Sequence, residues 1–119
     1  MDDHDQTGSP DKASEISAAL DRLWVRFLPE TRSRVGVLED AALALTNETI
    51  TPAQRESAAG AAHKLAGTLG TFSLARGTVV ARELERLYTQ GEGPSPETAA
   101  QMAAELREMV EGRSAPQSD

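Results

Sequence analysis

Apolar residues in this chain recur at three- and four-residue spacing, and its β-branched residues never form an alternating run. That period fits one face of an α-helix and no half-buried strand. Five helical segments follow from it. The first spans about Lys12 to Phe27, with Ile16, Leu20, Leu23, Trp24 and Phe27 on one side. Pro29 interrupts, and because proline suits a first helical turn, a second segment is expected to start there. Its stripe is Val35, Leu38, Ala42 and Leu45, fading at Thr46-Asn47. Thr51-Pro52 pairs an N-cap with a proline at the first helical position, and opens a third segment that reaches about Gly70. A fourth begins near Ser73 and ends at Gln90-Gly91, before the turn Gly91-Glu92-Gly93-Pro94. Ser95-Pro96 caps the fifth, striped by Ala99, Met102, Leu106, Met109 and Val110 and closed by Gly112. Short loops join segments two to five. The expected fold is all-α: an up-down four-helix bundle with an additional N-terminal helix.

The 119 residues suffice for one modest core. The polar ends, residues 1–11 and 113–119, are expected to be disordered, which leaves 12–112 for the bundle. With no cysteine, disulfides and thiolate metal sites are excluded. A net charge of −7 argues against nucleic acid and against anionic membranes as partners. No apolar stretch approaches the roughly 20 residues of a membrane span. The opening Met1-Asp2-Asp3-His4-Asp5 is the opposite of a secretory signal peptide, so a cytoplasmic location is expected. Met1 and the two polar ends favour a free-standing chain.

The third segment carries the chemistry. On a wheel of about 100° per residue, Ala58, Ala61, Leu65, Leu69 and Phe72 share the buried side, and His63 falls nearly opposite Leu65 and Phe72. Its neighbours at three and four residues are Ala59, Gly60, Ala66 and Gly67, with Gly70 two turns on. The imidazole therefore stands above small residues only. Each interior glycine costs a helix about 1 kcal/mol relative to alanine, so Gly60 and Gly67 carry a combined cost on the order of 2 kcal/mol. Close approach of another protein's backbone is one physical reason to keep them.

An unperturbed imidazole titrates near about pH 6.5, so much of it is neutral and nucleophilic at neutral pH. An open ring nitrogen can attack phosphorus in line and hold the phosphoryl group as a phosphoramidate. Lys64, projecting about 100° around the helix from His63, is the nearest cation in sequence.

His63-Lys64-Leu65-Ala66-Gly67-Thr68-Leu69-Gly70 resembles the phosphorylation motif of histidine-containing phosphotransfer (HPt) domains, usually written His-x-Leu-Lys-Gly-Ser. Ala81-Arg82-Glu83-Leu84-Glu85 is similar to the family's next helix, which commonly ends near a Leu-Glu pair. Motif and helix cover residues 58–88, and the helix count extends the likeness to about 12–112. The resemblance implies a phosphocarrier without catalytic activity of its own. It would relay phosphoryl groups between receiver-domain aspartates in a multistep two-component phosphorelay. It implies His63 as phosphoacceptor, Gly67 as the glycine that clears space beside it, and Leu65 as a core residue. Lys64 and Gly67 would neighbour the phosphoryl group, and a receiver would dock over Ala59, Gly60, Ala66, Gly67 and Gly70. The partners implied are response-regulator receiver domains and a sensor or hybrid histidine kinase, with a monomer as the default. Magnesium belongs to the receiver, so no cofactor or metal is expected in this chain. The motif departs from the family at Ala66, where Lys or Arg is frequent. Lys64, Arg76 and Arg82 are the candidates for the missing cation.

Two other classes remain beside this one: a non-catalytic helical scaffold that binds a partner, and the phosphoacceptor domain of a larger chemotaxis-type histidine kinase. His4 reads as a lone histidine in a polar arm, and no His/acid spacing suits a metal. Glu56, two turns from His63, reads as a solvated glutamate. Glu83, Glu85, Glu105 and Glu108, interleaved with Arg82, Arg86 and Arg107, read as exposed faces with ion pairs. Met102 and Met109 read as core filler. Trp24 and Phe27 read as anchors of the N-terminal helix, and Gly77 as a tight helix contact.

Overall fold

A computed structural model describes the backbone of residues 3–114 and the side chains of residues 12–113. The described residues form an all-α bundle of four helices, α1 (Asp3–Thr46), α2 (Pro52–Thr71), α3 (Ala75–Thr89) and α4 (Pro96–Ser114). The arm and tail expected at 1–11 and 113–119 lie outside the described residues, except for the backbone of 3–11 and 113–114 and the Arg113 side chain.

The break expected at Pro29 is absent, and α1 runs on for 44 residues. An interior proline removes one helical hydrogen bond and costs about 3 kcal/mol or more. The burial pattern shows what offsets it. Trp24, Leu28, Thr31, Val35, Leu38, Ala42 and Leu45 alternate spacings of four and three without a slip across Pro29, and all are buried or half-buried. A break would take half of that stripe out of register with the bundle. Pro29 itself is on the exposed side, and the one buried polar side chain of the stripe, Thr31, donates its hydroxyl to the Phe27 carbonyl at 2.8 Å.

The other boundaries are set locally. Thr51 accepts from the Gln54 N–H at 3.1 Å and donates its own N–H to the Gln54 side chain at 2.8 Å, a capping box ahead of Pro52. Ser95 Oγ accepts from the Thr98 N–H at 3.1 Å and starts α4. α2 ends in a paired-carbonyl cap. Leu74 N–H bonds Leu69 O at 2.9 Å and Ser73 N–H bonds Gly70 O at 3.1 Å, with Ser73 left-handed at φ 62°. α1 ends the same way around Glu48, at φ 60°. Neither position is the glycine such a cap usually takes.

The helices pack in a ring, each antiparallel to its chain neighbour. α1 meets α2 where the Trp24 and Phe27 rings stand edge-on to Phe72, at 5.1 and 6.3 Å between centroids. The ring closes between α1 and α4. There Arg107 holds Glu39 through two bonds at 2.8 and 2.9 Å, and Arg32 holds Glu111 at 2.7 Å. The hydrogen bond from Arg107 keeps the Glu39 carboxyl below its ordinary range, and that from Arg32 does the same for Glu111. α4 does not close at Gly112. It continues to Ser114 because Arg113 lies over the Trp24 ring at 5.4 Å and bonds Asp21 at 3.0 Å.

α2 packs through alanines. Ala58, Ala61, Ala62 and Ala66 are buried alongside Leu65 and Leu69. α3 answers with Gly77, where a Cβ would come 2.8 Å from Leu69 Cδ1 and 3.3 Å from Met109 Sδ. Gly77→Val should therefore lower stability by about 1–3 kcal/mol through overpacking. Gly60→Ala, whose Cβ would touch nothing within 4 Å, should raise stability by up to about 1 kcal/mol. Thermal melts followed by circular dichroism separate the two.

Candidate functional site

His63 sits near the middle of α2, on the arc opposite Leu65 and Phe72, and its side chain is 72% exposed. The expectation of an open imidazole holds, with one addition from α3. His63 Nδ1 lies 3.0 Å from Glu85 Oε2, whose side chain is one-third exposed. A carboxylate only accepts, so the pairing assigns the ring proton to Nδ1 and the lone pair to Nε2. The two nitrogens of an imidazole point to divergent sides of the ring. With Nδ1 held on α3, Nε2 faces away from that helix.

Gly60, Gly67 and Gly70 are exposed around the histidine. A Cβ on Gly60 or Gly67 would meet nothing within 4 Å, so no contact inside the molecule calls for glycine there. At Gly70 a Cβ would rest at 3.4 Å from Thr78 Oγ1. Ala59 is half-buried against the core. Ala66 is a correction to the expected docking patch. It is only 5% exposed, and its carbonyl accepts from Thr78 of α3 at 3.4 Å. The wheel explains this: Ala66 lies about 60° from His63 toward the α3 side, at the edge of the buried arc.

On its other flank, His63 borders an open groove of about 540 Å³ between α2 and α1. Lys64 and Gly67 line it from α2, Phe72 from the turn just beyond that helix, and Phe27, Glu30 and Arg34 from α1. Arg34 bonds Glu30 at 2.9 Å. Phe27 is thus both an anchor against Phe72 and, at 44% exposure, a wall of this groove.

Of the expected cations, Lys64 borders the groove with His63. Arg76 and Arg82 line a different groove between α3 and α4, and Arg76 is bonded to Glu105 of α4 at 2.8 Å. Glu56 is exposed, as expected. The carboxylate that meets the histidine is Glu85, one of the glutamates assigned from sequence to a plain exposed face. Arg34 was likewise absent from the candidates. Both reach the site through the register of one helix on another, which no single helix's periodicity contains. Among the described residues no cluster of His, Cys, Asp and Glu is arranged to hold a metal ion. No helix among them is long and apolar enough to cross a membrane.

This arrangement, a solvent-facing Nε2 with its ring anchored from behind and glycines on both sides, suits transfer to and from a group carried by another macromolecule. Comparison with known proteins places the chain in a family. The model of the Hpt domain family matches residues 22–115. The chain is 37% identical over 75 residues to Protein RcaC of Microchaete diplosiphon, a stretch covering 63% of this chain and 12% of that protein. The match thus spans about an eighth of the relative's length. No solved structure matches the chain. The family match starts in α1 just before Trp24, takes in His63 and reaches the end of α4, and the chain belongs to the Hpt domain family.

Proposed function

We propose that this chain is a phosphocarrier that relays a phosphoryl group between receiver-domain aspartates through Nε2 of His63. The observation that carries the proposal is the imidazole itself: exposed, held at Nδ1 by Glu85, and flanked by glycines that the fold does not need. The Nε2 lone pair attacks the phosphorus of an aspartyl phosphate. The N–P bond forms as the P–O bond breaks, and the electron pair leaves with the aspartate carboxylate. The reverse exchange delivers the group to a second receiver. The ring becomes cationic as the N–P bond forms, and the Glu85 carboxylate lies beside that developing charge. Glu85 is in this sense a positioning residue: it fixes which nitrogen is free and where it points.

The bare strip of Gly60, Gly67 and Gly70 gives a receiver's active-site loops room to bring phosphorus to Nε2. The chain's own residues supply nucleophile, orientation and access. The proposal includes a sensor or hybrid histidine kinase upstream, metal-dependent chemistry only in the receiver, a monomeric state and a cytoplasmic location.

His63→Gln should abolish phosphorylation by a phosphorylated receiver and leave the melting curve in place. Intact mass together with the acid lability of any phosphate on the variant decides this, and acid-labile phosphate on the variant would refute the assignment. Gly67→Leu should slow transfer from a receiver by an order of magnitude or more while His63 still reacts with phosphoramidate, a small donor that needs no docking. Equal loss with both donors would mean the side chain damages the site rather than crowding the partner. Glu85→Ala should slow transfer with either donor by about tenfold, since it frees the ring rather than blocking access. Single-turnover rates with the two donors distinguish these outcomes.

A further inference from the structure

Glu85 takes Nδ1 from the α3 side, so a phosphoryl group on Nε2 projects away from α3. The surface on that side is the groove between α2 and α1. The charged groups facing it are Lys64 on α2 and the pair Glu30 and Arg34 on α1. Arg34 is the more sheltered member of its pair, with 23% of its side chain exposed against 61% for Glu30. Its partner is an exposed glutamate one turn away on the same helix, an interaction of small net worth. A phosphoryl group brings about two negative charges and three acceptor oxygens. A guanidinium fork matches two of those oxygens at once, which a lysine ammonium cannot do.

Resting on the assignment of His63 as phosphoacceptor, we propose that Arg34 is the cation that holds the phosphoryl group on this chain. On phosphorylation Arg34 leaves Glu30 and pairs with the phosphoryl oxygens across the groove, while Glu30, already mostly in water, turns outward. No covalent bond changes in this exchange; one ion pair replaces another. The motif lacks a cation at Ala66, on the phosphohistidine helix, and Arg34 supplies the charge from α1 instead. Phosphorylation would in this way tie α1 to α2 beside the docking strip, and a receiver would meet a differently charged α1 on the phosphorylated and unphosphorylated chains.

The test uses the full chain phosphorylated on His63 with phosphoramidate. Phosphorus NMR across pH reads the second ionisation of the bound phosphoryl group. Arg34→Gln should raise that pKa by about one unit, because a cation beside the group no longer favours its dianion. Transfer from a phosphorylated receiver should fall about tenfold. Arg34→Lys should restore most of the pKa and part of the transfer rate. Glu30→Gln should leave both at or above the level of the unsubstituted chain. In the unsubstituted protein the Arg34 Nε–H resonance should shift on phosphorylation while that of Arg107, paired to Glu39 at the α1–α4 seam, stays in place. An unchanged phosphoryl titration in Arg34→Gln together with an unmoved Arg34 resonance overturns the proposal. The same pKa rise in Lys64→Gln but not in Arg34→Gln overturns it in favour of Lys64. A chain that takes no phosphoryl group on His63 from phosphoramidate or from any receiver overturns the relay assignment itself. The other outcomes concern Arg34 alone.

Discussion

Everything at the site depends on how α2 is wedged into the bundle. Its alanine face, Ala58, Ala61, Ala62 and Ala66 with Leu65 and Leu69, lets α1 and α3 approach from two sides and leaves one arc of the helix uncovered. A helix buried by large side chains would stand further from its neighbours. The small face brings α3 close enough for Glu85 to touch His63, and α1 close enough to wall a groove on the other flank. The contact of Gly77 with Leu69 is the tightest expression of that closeness.

The site is consequently polarised across α2. On the α3 flank a carboxylate fixes the ring; on the α1 flank an arginine and a lysine face the groove. The histidine stands between a carboxylate on one flank and a groove that carries two cations and Glu30 on the other. A surface histidine on an isolated helix would have neither. The free energy held in Gly60 and Gly67 belongs to the same arrangement, since the helix forgoes stability to keep the space above it empty.

What could be read from the sequence was what a single helix contains. The start of α2 at Thr51-Pro52, the start of α4 at Ser95-Pro96, the turn through Gly91 and Gly93, and the placing of His63 opposite Leu65 all follow from local chemistry and a 3.6-residue period. The features the sequence does not show are mostly those decided between helices. Pro29 predicts a break until the unbroken stripe from Trp24 to Leu45 is seen to bury against two partners. Gly112 predicts an end until Arg113 is found on Trp24. Ser73 and Glu48 occupy left-handed caps with no glycine to announce them. Glu85 and Arg34 look like any charged helix residue, and only antiparallel register brings them to the histidine.

The turn between α2 and α3 makes that register a matter of counting. Only residues 72–74 separate the two helices, and both ends of the turn are pinned by backbone hydrogen bonds to the last turns of α2. His63 and Glu85 lie at similar heights on either side of it, 22 positions apart in the chain. The hairpin therefore acts as a ruler. One residue gained or lost anywhere between them swings one partner about 100° around its helix and separates the pair. Length is thus constrained in this one stretch for chemical reasons, whereas the loops before α2 and after α3 can vary in length without disturbing the histidine and its carboxylate. Among relatives that keep such a pair, the spacing between the two residues should vary less than either loop.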